Sequence, residues 1–136
     1  MTFQIFMGLP EMESLWKTLL DKAQANNLTP DEREFFDKWS KALRYLSRNP
    51  KHPGLQTHEI DDLSRKFGLK VWQSYLENNT PGDGRIFWAY GPGRGQITVL
   101  AVERHPESGK RKAYERIRLS SFPKSASSPK SARDKK

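Results

Sequence analysis

The chain has 136 residues, no cysteine, four Trp and seven Phe, and is 35% hydrophobic, enough apolar mass for one domain with a core of its own. The absence of thiols excludes a disulfide framework and a thiolate metal site, and no apolar run reaches the length of a membrane span. The formal net charge of +8 is one-sided: residues 1–103 hold 13 basic and 13 acidic side chains, whereas residues 104–136 hold 11 and 3.

Residues 1–8 lack the charged start and small-residue cleavage site of a secretory signal and read as a first strand. Glu11 to about Ala25 carries Met12, Leu15, Trp16, Leu19, Leu20 and Ala23 at helical spacing. Thr29-Pro30-Asp31-Glu32 starts a second helix, with a Thr cap, a proline in the first turn and Glu three positions after the cap. Phe35, Phe36, Trp39, Ala42, Leu43 and Leu46 repeat at three and four, and Asn49-Pro50 ends the helix. The pair predicts a helical hairpin whose aromatic faces need a sheet to cover them.

Leu55 to Ile60 reads as a short strand, and Asp61 to Gly68 as either a helical turn or an insertion. Leu69 to Leu76 alternates as a strand. Arg85 to Tyr90, the turn Gly91-Pro92-Gly93-Arg94-Gly95 and Gln96 to Glu103 form the strongest signal in the chain, a β-hairpin. Ala113 to Leu119 fits a short helix or an edge strand. From Ser120 onward Ser, Pro, Lys and Ala dominate, a composition that cannot bury enough apolar surface to offset its ordering entropy. The expected organisation is one domain over 1–119 and a disordered basic tail over 120–136. The expected fold is α+β: a small antiparallel sheet of about four strands, ordered β-α-α-β-β-β with a short terminal element. The helical hairpin lies on one face and the other face is open to a strand of RNA.

Arg85 opens the first hairpin strand and His105 follows the second, so a guanidinium and an imidazole meet at one end of the hairpin. A guanidinium stays charged and grips phosphate oxygens in pairs; an imidazole titrates near neutrality. Metal-independent RNA cleavage asks for those groups: a base for the 2′-hydroxyl, an acid for the leaving 5′-oxygen and a cation for the crowded phosphorane. Arg104, Lys110, Arg111 and Lys112 extend the positive field and are expected to hold RNA. The three histidines lack ligand spacing, so no metal and no cofactor are expected. Trp72, Trp88 and Tyr90 are candidates for base stacking, although Trp88 and Tyr90 share a strand face with Ile86, which suits a core under the helices.

The segments Leu46-Ser47-Arg48-Asn49-Pro50, Gly54 to Ile60, Arg85 to Tyr90, Ile97 to Val102 and His105-Pro106, in this order behind two helices, resemble the RelE/ParE superfamily of toxins from bacterial type II toxin–antitoxin pairs. The resemblance implies the microbial ribonuclease-like toxin fold. For its RelE-like branch it implies cleavage of mRNA, generally on the ribosome, in the cytoplasm, with inhibition of translation. It matches Arg85 to the arginine that opens this strand in relatives and His105 to the histidine after the last strand. It assigns Tyr114 to base stacking or proton transfer and sets His58 and Glu59 in a segment that carries site residues in relatives, with Glu59 replacing a basic residue frequent there; Lys70, at the start of the strand preceding that of Arg85, is expected as a second phosphate cation, and Lys70 and His58 as substrate-binding residues. The implied partners are a cognate antitoxin, mRNA and the ribosome, with no membrane, and DNA only through an antitoxin complex or gyrase. The ParE-like branch implies the alternative, a gyrase poison or RNA-binding relative without catalysis.

Overall fold

The computed structural model describes residues 2–76, 84–103, 114 and 117–123. The elements are β1 (Gln4–Met7), α1 (Glu11–Gln24), α2 (Pro30–Arg48), a 3-10 turn (Pro53–Leu55), β2 (His58–Glu59), α3 (Asp61–Phe67), β3 (Trp72–Tyr75), β4 (Arg85–Tyr90) and β5 (Gln96–Glu103). They form an α+β fold around one five-stranded sheet in the order β1-β5-β4-β3-β2. The sheet is mixed, where an antiparallel sheet of about four strands was expected. β1 runs parallel to β5, and the other neighbours are antiparallel. The helical hairpin carries the chain from one edge strand to the other, so β2 begins at the opposite side of the sheet.

The helices start and stop for local reasons. The Thr29 hydroxyl accepts from the Glu32 backbone N–H at 3.1 Å, and the Glu32 carboxylate accepts from the Thr29 N–H at 3.0 Å, a reciprocal cap that satisfies two free donors of α2. The Lys22 ammonium reaches the same carboxylate from α1 at 2.7 Å, tying the two helices together. Met12, Leu19, Phe35, Trp39, Ala42 and Leu46 then bury against Ile86, Trp88, Ile97 and Val99 of the sheet. Trp88 donates its indole N–H to Ser74 Oγ at 2.9 Å, which satisfies the one polar atom that a buried tryptophan brings with it.

The second face of the sheet is covered, which corrects the expectation of an open face. Phe87, Ala89, Leu100 and Ala101 project there and pack with Leu63 of α3 and Ile117, flanked by Phe67, Tyr114, Leu119 and Phe122. Leaving that apolar surface in water would cost about 1.5–3 kcal/mol for each large side chain. α3 answers the ambiguity at Asp61 to Gly68: it is a helix of seven residues, ended by Gly68 at φ +94°. The strand expected at Leu55 to Ile60 shrinks to the two residues of β2, because Pro53–Leu55 forms the 3-10 turn.

Residues 120–123 also depart from expectation, since they belong to the folded body. The Ser120 N–H donates to the Leu100 carbonyl at 2.8 Å, and Ser121 and Leu9 exchange two backbone bonds of 2.8 Å. Ser120 is buried, and Phe122 meets Phe67 edge-on at 5.4 Å. Composition alone hid this, because the segment is held mainly by backbone hydrogen bonds. The remaining tail, 124–136, lies outside the described residues.

A Cβ on Gly8 would stand 2.6 Å from Ser120 Cβ and 2.9 Å from the Val99 carbonyl oxygen, so Gly8→Ala should lower unfolding stability by about 1–3 kcal/mol in urea. The Lys22 contact, and then the Thr29 N–H, hold the Glu32 carboxyl below its ordinary pKa. A carboxylate with a lowered folded-state value stabilises above its unfolded value and loses that effect as pH falls through the folded one. Glu32→Gln should therefore flatten the acid limb of the stability profile and leave its neutral slope unchanged.

Candidate functional site

At one end of the second face the apolar cover gives way to polar side chains. Arg85 and Phe87 point to the same side of β4, and strand pairing sets Arg85 opposite Glu103 and Tyr75, and Gln73 opposite Phe87 and His58. Gln73, Arg85, Glu103 and His58 therefore share one face across four neighbouring strands, β2 to β5. Tyr114 is brought over them from the chain beyond β5.

Glu103 meets Arg85 because of an irregularity in the hairpin. Tyr90, Ala89 and Trp88 pair with Ile97, Thr98 and Val99, and the register then shifts so that Phe87 pairs with Ala101. Leu100 is the extra residue, a β-bulge. Without it the hairpin count would set Val102 opposite Arg85. The bulge also lets Leu100 and Ala101 both enter the second core.

The side chains form one connected network. The Arg85 Nη2 donates to Glu103 Oε1 in a short ion pair whose partners are 12% and 20% exposed. The Arg85 Nη1 lies 3.2 Å from Gln73 Oε1 and 3.4 Å from the Tyr114 hydroxyl. The Tyr114 hydroxyl donates to Gln73 Oε1 at 3.0 Å. Gln73 Nε2 faces His58 Nε2 at 3.4 Å, and His58 Nδ1 is 3.1 Å from the Gln56 carbonyl oxygen. The guanidinium carbon sits 5.4 Å from the Tyr114 ring centre and 5.8 Å from that of Phe87, within cation–π range of both. Arg85 Nε is buried and has no partner among the described residues.

Three of the residues singled out from the sequence, Arg85, His58 and Tyr114, thus come together. Lys70 does not join them. It is exposed and precedes β3 at the end where Trp72 pairs with Trp88, whereas Arg85 pairs with Tyr75, five residues or about 16 Å along the strand. Trp88 is fully buried under the helices, and of the three stacking candidates Tyr90 is the most exposed, at 41%. Lys51 stands over the Trp72 ring at 3.7 Å, so that ring already has a cation on it. Arg104, His105, Lys110, Arg111 and Lys112 lie outside the described residues.

Gln73 and Glu103 escaped the sequence analysis. Each is a polar residue in a strand whose neighbours are largely apolar, and the hairpin register, once corrected for the bulge, pairs Glu103 with Arg85. Gln73 has no comparable signal, because its partners come from three other elements.

Among the described residues no group of His, Asp and Glu could hold a metal ion, and no helix is long and apolar enough to cross a membrane. No family model, curated protein or solved structure matches this chain.

Removing Glu103 would leave a guanidinium that is nearly out of water without its counter-charge. Glu103→Gln should cost about 2 kcal/mol or more in urea unfolding, and the double variant Arg85→Met/Glu103→Leu should be more stable than Glu103→Gln alone.

Proposed function

We propose that this chain is a metal-independent endoribonuclease of the RelE-like kind, the toxin of a type II toxin–antitoxin pair that cuts mRNA at the ribosome. The observation that carries the reading is the network itself: a guanidinium, a carboxylate, a phenol and an imidazole joined on one end of a sheet face. Its groups match the demands of transfer to a 2′-hydroxyl. The strand–helix–helix–strand order and the closing hairpin with Arg85 at its open end are compatible with the toxin fold implied by the resemblance. The surplus of eight positive charges in 104–136 follows directly after Glu103 and would concentrate a polyanion beside the network.

In this reading Arg85 binds the scissile phosphate and stabilises charge on its oxygens as the phosphorane forms. Glu103 holds the guanidinium in place. Burial of both partners keeps that pairing strong against salt. The Tyr114 ring stacks near the cation, and its hydroxyl stands within reach of the same phosphate position. A base takes the 2′-hydroxyl proton while the O2′–P bond forms; the P–O5′ bond breaks, and O5′ takes a proton from His105 as the acid. The products are a 2′,3′-cyclic phosphate and a 5′-hydroxyl. The antitoxin would be a protein with an acidic segment that competes for the same basic surface, with affinity falling as salt rises.

One observation favours the second reading, a non-catalytic binder on the same scaffold directed at gyrase, RNA or the ribosome. Arg85 already has a carboxylate partner, so the network balances its own charge without substrate.

Induced expression followed by primer extension on cellular mRNA separates the two. The cleaving enzyme yields new 5′ ends that Arg85→Ala reduces by about 100-fold or more and that His105→Ala also suppresses. Intact transcripts with the wild-type chain, or undiminished cutting by Arg85→Ala, would reject cleavage. DNA-damage signalling with intact mRNA would instead support a gyrase-directed binder.

A further inference from the structure

The hydrogen bonds around Gln73 fix more than its own position. A guanidinium has donors and no acceptor, so the Gln73 amide atom facing Arg85 Nη1 at 3.2 Å must be its oxygen. The same oxygen receives the Tyr114 hydroxyl at 3.0 Å. The amide cannot turn over without setting its NH₂ against a buried cation. Its Nε2 is therefore aimed at His58 Nε2, 3.4 Å away. An amide NH₂ only donates, so a hydrogen bond here needs His58 Nε2 to accept and to carry no proton. The proton of the neutral ring then lies on Nδ1, where the Gln56 carbonyl oxygen stands 3.1 Å away to receive it.

His52 supplies an opposite case inside the same molecule. Its Nδ1 accepts the Gly54 backbone N–H at 2.9 Å, so its neutral ring carries the proton on Nε2. A ring stacked on Tyr45 at 4.7 Å keeps that geometry. The contacts of the two described histidines call for opposite tautomers, because each partner can play one role only.

We infer that Gln73 is a positioning residue that holds His58 as the Nδ1–H tautomer, and that the bare Nε2 presented to the Arg85 network makes His58 the proton acceptor of the cleavage reaction. The inference rests on the RNA-cleaving reading and deepens it, since neither composition nor resemblance assigned His58 more than substrate binding. As substrate enters, the 2′-hydroxyl replaces the Gln73 NH₂ at His58 Nε2. Its proton passes to Nε2, O2′ bonds to phosphorus, the P–O5′ bond breaks and the acid returns a proton to O5′. Gln73 keeps its oxygen on Arg85 and Tyr114, so the amide that sets the resting tautomer of His58 is itself anchored at the phosphate-binding cation.

Long-range ¹H–¹⁵N correlation of the full chain at about pH 8.5, two units above the ordinary imidazole value, reads the tautomers directly. His52→Asn and His58→Gln assign the signals. The expected spectrum shows His58 protonated at Nδ1 and His52 protonated at Nε2. A wild-type His58 protonated at Nε2 would overturn the inference, whatever the activity. In Gln73→Glu the carboxylate still accepts from Arg85 and Tyr114 but can no longer donate, so His58 should change to the Nε2–H form. Cleavage of a model mRNA on ribosomes should then fall about 10–100-fold in kcat, and in Gln73→Met, which adds no charge beside the phosphate cation, KM should change less than about threefold. Gln73→Met, similar in length, should free the tautomer and lower kcat in the same direction. Reduced cleavage in Gln73→Glu with an unchanged His58 tautomer rejects the positioning role and leaves the ribonuclease reading standing. Opposite tautomers in a wild-type protein that cuts no RNA reject the ribonuclease reading and the base role with it.

Discussion

One extra residue in β5 organises the polar end of this molecule. Leu100 breaks the register of the central hairpin, and the pairing of Arg85 with Glu103 depends on that shift. In a regular hairpin Arg85 would face Val102, a side chain unable to balance its charge. A permanent cation nearly out of water is tolerable only with a counter-charge and filled hydrogen-bond positions. The bulge supplies Glu103, and the flat sheet surface beside it supplies Gln73. Tyr114 then closes the cluster with a hydroxyl and a ring face. The same slip turns Leu100 and Ala101 into the second core, so the charged end and the apolar cover under α3 have a common origin.

The two faces of the sheet divide the work. The face under α1 and α2 holds Ile86, Trp88 and Val99 almost free of solvent against Trp39 of α2 and supports the sheet. The opposite face is apolar under α3 and residues 117–122 and polar beyond them. Chemistry on a rigid strand surface is better positioned than chemistry on loops, and the network draws four of its five residues from strands. The fifth, Tyr114, comes from the chain beyond β5 and joins the network through its hydroxyl.

Legibility in the sequence was strongest where pattern is local. The helices announced themselves through apolar spacing and the Thr29–Glu32 cap, and the Arg85–Tyr90 and Gln96–Glu103 strands through their β-branched and aromatic runs around a glycine turn. It was weakest where a segment is short or held by distant partners. α3 has only Leu63 and Phe67 to mark its buried side, one pair four residues apart, and that cannot be told from a loop. Ser120 and Ser121 look like the start of a polar tail, yet backbone bonds to Leu100 and Leu9, more than a hundred residues away in the second case, hold them in place.

By itself the sequence determined the two-helix hairpin, the central β-hairpin, the absence of thiol chemistry and the position of a strand-borne arginine ahead of a basic terminal stretch. These are properties of neighbouring residues, set by periodicity, capping and charge. Tertiary structure alone decided that β1 lies parallel to β5, that both sheet faces are covered, and that His58, Gln73, Tyr114 and Glu103 gather around Arg85. Those outcomes depend on strand order and on a one-residue register shift, which no local pattern encodes, because pairing energy is shared between segments far apart in the chain.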